Sequence, residues 1–75
     1  MSVPLIEDYK KASADVWTWF KKNYEAKDAD DWWMKLYDSS NRLCEKYTES
    51  PIKEYVIEYV VLCMSDIHRR WKARK

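Results

Sequence analysis

The chain is 75 residues long, 47% hydrophobic and 36% charged, with a net charge of +1, which suits one small folded domain. Twelve aromatic residues argue against disorder, and the absence of glycine excludes phosphate-cradling loops, dinucleotide fingerprints and EF-hand loops. One histidine and two cysteines leave few zinc arrangements, and no metal or other cofactor is expected.

The first element is expected near residues 4–26. Pro4 suits a first helical turn, where its missing N–H would be unpaired anyway. Leu5, Tyr9, Ala12, Val16, Phe20 and Tyr24 recur at spacings of three and four, with Trp17 and Trp19 on the flanks of that stripe. Residues 1–27 hold no apolar signal core, because Glu7, Asp8, Lys10 and Lys11 come early. The longest uncharged run, Tyr59 to Ser65, is far below the roughly 20 residues that span a bilayer. A cytoplasmic protein without membrane contact is the expectation.

The second element is expected near residues 29–48. Asp28, Asp30 and Asp31 precede it, where carboxylates cap free N–H groups and meet the positive helix end. Capping explains this cluster better than divalent-metal binding, which would want a glycine turn and a later bidentate Glu. The apolar stripe runs through Trp32, Trp33, Leu36, Tyr37, Ser40, Leu43, Cys44 and Tyr47.

The third element is expected near residues 51–72, with Ser50 as cap and Pro51 in the first helical position. Ile52, Val56, Tyr59, Val60, Cys63, Ile67 and Trp71 form its stripe. Local propensity over Tyr55–Cys63 would also allow a strand, but the helical stripe continues well beyond that run. Short connections make neighbouring helices antiparallel, which sets Ile52 level with Tyr47, Val56 with Leu43, Tyr59 with Ser40, Cys63 with Leu36 and Ile67 with Trp32. The expected fold is therefore all-α, an antiparallel three-helix bundle, with dimerisation through helix 3 left open. In this register Cys44 and Cys63 stand roughly 12 Å apart along the helix axis. That exceeds the limit of about 7 Å between the Cα atoms of a disulfide, so two reduced thiols are expected.

Catalysis finds little material. His68 stands beside Ser65 and Asp66 on one helix, which cannot converge into a triad, and no carboxylate lies on an apolar stripe. Two features point instead to binding. Residues 67–75 carry Arg69, Arg70, Lys72, Arg74 and Lys75 and no acid, which suits either nucleic-acid contact or pairing with Asp28, Asp30 and Asp31. Ile57, Val61 and Met64 form a second apolar line on helix 3, and His68 extends it by four residues. Either helix 1 covers that line, or another chain does, whether a second copy or a different protein.

Residues 31–72 resemble small helical proteins of Firmicutes phages and mobile elements through Asp31-Trp32-Trp33, Asn41, Leu43, Glu45-Lys46-Tyr47 and Ser50-Pro51. The resemblance implies an accessory protein that binds and regulates or inhibits a host protein, as anti-CRISPR proteins do. The functional expectation is a non-enzymatic protein-interaction module contacting its partner through Ile57, Val61, Met64 and His68. The alternative is a small nucleic-acid-binding regulator using the basic C-terminus.

Overall fold

The structure is a computed structural model that describes residues 3–75. Three α-helices follow one another, α1 over Ile6–Lys22, α2 over Asp30–Glu45 and α3 over Lys53–Ala73, and each packs on the other two. There is no strand among the described residues, and Tyr55–Cys63 is helical throughout. The protein is an all-α three-helix bundle.

The expected elements are all present, with shorter ends except at the C-terminus of α3, which runs on to Ala73. Pro4 lies ahead of α1 and not in its first turn. Leu5 is the cap, its backbone extended, and its N–H donates to the Asp8 carboxylate at 2.9 Å. Glu7 and Asp8 face the positive helix end. The helix stops at Lys22, because the Asn23 side-chain amide donates to the Trp19 carbonyl at 2.8 Å and closes the last turn. Tyr24 consequently leaves the stripe and is half exposed, and Leu5 is exposed as well.

Before α2 the cap is Ala29, without a side-chain bond, so the expected capping by aspartate side chains is corrected. Asp30 and Asp31 sit in the first turn and act through their charge, while Asp28 turns to α3 instead. The α2–α3 connection is a run of tight turns in which Tyr47, Thr48, Ser50 and Lys53 each donate to the carbonyl three residues earlier. Ser50 Oγ accepts from the Ile52 N–H at 3.3 Å, and α3 begins two residues later than Pro51. That geometry buries Tyr47 and Ile52 together at the closed end of the hairpin.

The core contains Ala12, Val16 and Trp19 of α1, Leu36 and Leu43 of α2, and Val56, Val60, Cys63 and Ile67 of α3. Trp19 is a core residue, not a flank. It lies about 60° from Val16 around the helix, close enough to turn inward, whereas Trp17 points out. Its indole N–H donates to Ser39 Oγ at 2.8 Å, and Ser39 donates to the Leu36 carbonyl at 2.9 Å. Ser40, the buried polar residue of the core, donates to the Tyr37 carbonyl at 2.7 Å, so its hydroxyl is satisfied. Cys44 and Cys63 are free, and burial pushes both thiols up in pKa.

Candidate functional site

α1 covers one side of α3. Tyr9 meets Tyr55 edge to face at 4.9 Å between ring centroids, and Ser13 and Tyr55 share a hydroxyl hydrogen bond at 2.6 Å. Near the other end, the Arg70 guanidinium stacks 4.0 Å above the Tyr24 ring. The two helices therefore run side by side in the same direction. With the core stripe turned towards α1 and α2, the line of Ile57, Val61, Met64 and His68 falls on the remaining face.

That face is open. Val61 is 55% exposed and Ile57 36%, so α1 does not cover the second line. Met64 is half buried and His68 exposed. Ile57, Val61 and Met64 share one groove with Tyr37, Asn41 and Cys44 of α2. The depression continues past Tyr37 and Met64 to Trp33, Ser65 and His68. All four expected contact residues thus lie along one α2/α3 face. His68 packs on a pair of touching indoles, its ring centroid 5.8 Å from both Trp33 and Trp71, which are themselves 5.2 Å apart.

Sequence reasoning missed one contributor to this face. Tyr37 belongs by its spacing to the α2 core stripe, yet it is 50% exposed and borders both stretches of the groove. The signal was its position about 100° around α2 from Leu36, the most deeply buried residue of that helix.

The basic C-terminus is largely occupied within the fold. Arg70 bonds Asp66 at 2.8 Å and the Tyr24 carbonyl at 2.9 Å, and Arg74 donates to the Ala26 carbonyl at 2.5 Å. The Trp71 indole donates to Asp28 at 2.5 Å, and Lys75 pairs with the same carboxylate at 3.7 Å. The bond from Trp71, with Lys75 and Arg74 nearby, lowers the pKa of Asp28. Arg69 pairs with Asp66 at 3.8 Å, and Lys72 makes no ion pair or side-chain hydrogen bond among the described residues. Four of the five bases thus reach acids or backbone carbonyls of the chain itself, and three of them tie the 23–29 connection to the end of α3.

No helix of the described residues is long and apolar enough to cross a membrane. Comparison of the chain with family models, curated proteins and solved structures yields no match.

Proposed function

We propose that the protein is a protein-interaction module that works by binding another chain through the α2/α3 face. The observation that carries this reading is the groove in which exposed Val61 and Ile57 and partly buried Met64 of α3 line up beside half-exposed Tyr37 of α2. Burying an aliphatic or Met side chain is worth about 1.5–3 kcal/mol, so covering this line rewards association. The role of the basic tail in holding the 23–29 connection favours this reading over nucleic-acid binding. The resemblance of residues 31–72 supports an accessory setting in a phage or mobile element, with regulation by binding and no catalytic step.

The test compares the chain with its Val61→Glu and Leu62→Glu variants as baits in an extract of the source cells. Leu62 is also exposed but lies about 100° from Val61 around α3, away from the groove. The chain and Leu62→Glu should retain a protein that Val61→Glu loses, while dichroism shows all three equally helical. Equal retention of a protein by all three removes the α2/α3 face from the function.

A further inference from the structure

We infer that the chain seated on the α2/α3 face is a second copy of this protein, packed antiparallel along α3 about a two-fold axis level with Leu62 and Cys63. This rests on the interaction reading above and names its partner. The outer line of α3 is Ile57, Val61, Met64 and His68, with intervals of four, three and four residues. That order reads the same in both directions. Two antiparallel copies therefore bring Val61 against the partner's Met64 and Ile57 against the partner's His68, twice over, as an isologous interface requires.

The charges at the ends of the line obey the same symmetry. Glu54 and Lys72 are 18 residues apart. At 3.6 residues per turn that is about five whole turns, so both lie on the side of the helix that carries Val61. Neither makes an ion pair among the described residues. The antiparallel arrangement sets Glu54 opposite the partner's Lys72 at each end, whereas a parallel one would oppose like charges. Tyr37, bordering the groove beside Val61 and Met64, adds half-exposed aromatic surface near the axis. The result is an apolar and aromatic centre with a charged rim, the usual anatomy of a stable dimer surface.

Light scattering and sedimentation of the full chain test this directly. The chain should have twice its 9.2 kDa mass, falling to the single mass on dilution. Glu54→Lys and Lys72→Glu should each weaken the dimer by about tenfold at low salt, because each replaces two attractions by two repulsions. The charge-swapped variant carrying both should recover the dissociation constant of the unaltered chain. Dichroism checks that all four are helical. The neutral Glu54→Gln and Lys72→Gln, which put no reversed charge at the ends of α3, should give the same ranking in smaller steps. A single-chain mass at every concentration overturns the second copy, as does a dimer indifferent to these changes or not rescued by the swap. If the chain stays single yet retains another protein through Val61, only the second copy falls. If it stays single and retains nothing, the interaction reading falls with it.

Discussion

Asp15, Lys46 and Tyr47 form a polar cluster that joins α1 to the α2–α3 connection. The Tyr47 hydroxyl donates to the Asp15 carboxylate, and Lys46 Nζ approaches the same oxygen at 3.4 Å. The bond from Tyr47, with Lys46 beside it, holds Asp15 below the usual carboxylate range. Burial, followed by the Asp15 contact, pushes Tyr47 up to about 12. Between the ordinary tyrosine value of 10.0 and about 12, the unfolded chain loses this proton and the folded chain keeps it. Stability should therefore fall as pH rises through that window. Asp15 acts in the opposite direction, its contribution complete above the ordinary carboxyl value of 3.8 and lost as pH falls through its lowered value. Urea midpoints measured against pH should show a shallower alkaline decline in Tyr47→Phe. Some decline should remain, because burial also raises Tyr59. An unchanged alkaline slope would mean that the hydroxyl contact does not couple to folding.

At the scale of the helix, Val56 and Leu43 occupy the interior of the α2–α3 hairpin, fully and almost fully buried. Val56→Asp or Leu43→Asp should abolish the helical dichroism, since an unpaired buried charge costs more than the roughly 3–5 kcal/mol that a core of this size supplies. Retention of the helical spectrum by both would place these residues outside the core. The hairpin was legible in the sequence because stripe and register agree along two long helices. The observed neighbours Trp33 and His68, and Tyr37 and Met64, follow the same antiparallel order. The ends were less legible, since a periodic pattern continues on paper past the residue where a side chain closes the helix. Asn23 does this to α1, and the Ser50 turn delays α3. The two tryptophans of α1 show a similar limit: by spacing alone Trp17 and Trp19 both flank the stripe, and only the position of Ser39 on α2 gives one indole a part-buried partner. The contact line on α3 was readable because it repeats within one helix. The role of Arg70 and Arg74 was not, because their acceptors are carbonyls nearly fifty residues earlier in the chain.

At the scale of the whole molecule, α1 and α2 leave the Ile57 and Val61 side of α3 open, and the positions of the charges around it decide how that side is used. The basic end of α3 serves as a clasp on the 23–29 connection, where Ala26 is buried beneath it. Of the outer line, Met64 packs partly against the core, while Ile57 and Val61 stay exposed. Denaturant unfolding of the chain and Val61→Glu over a wide range of protein concentration tests this most directly. At the dilute end the two should unfold within about 0.5 kcal/mol of each other, as befits an exposed position. With rising concentration the midpoint of the unaltered chain should climb and that of Val61→Glu should stay level, since only the first is stabilised by association. A variant weaker by about 2 kcal/mol or more at every concentration, dilution included, would make Val61 part of the protein's own core and contradict its assignment to an interface.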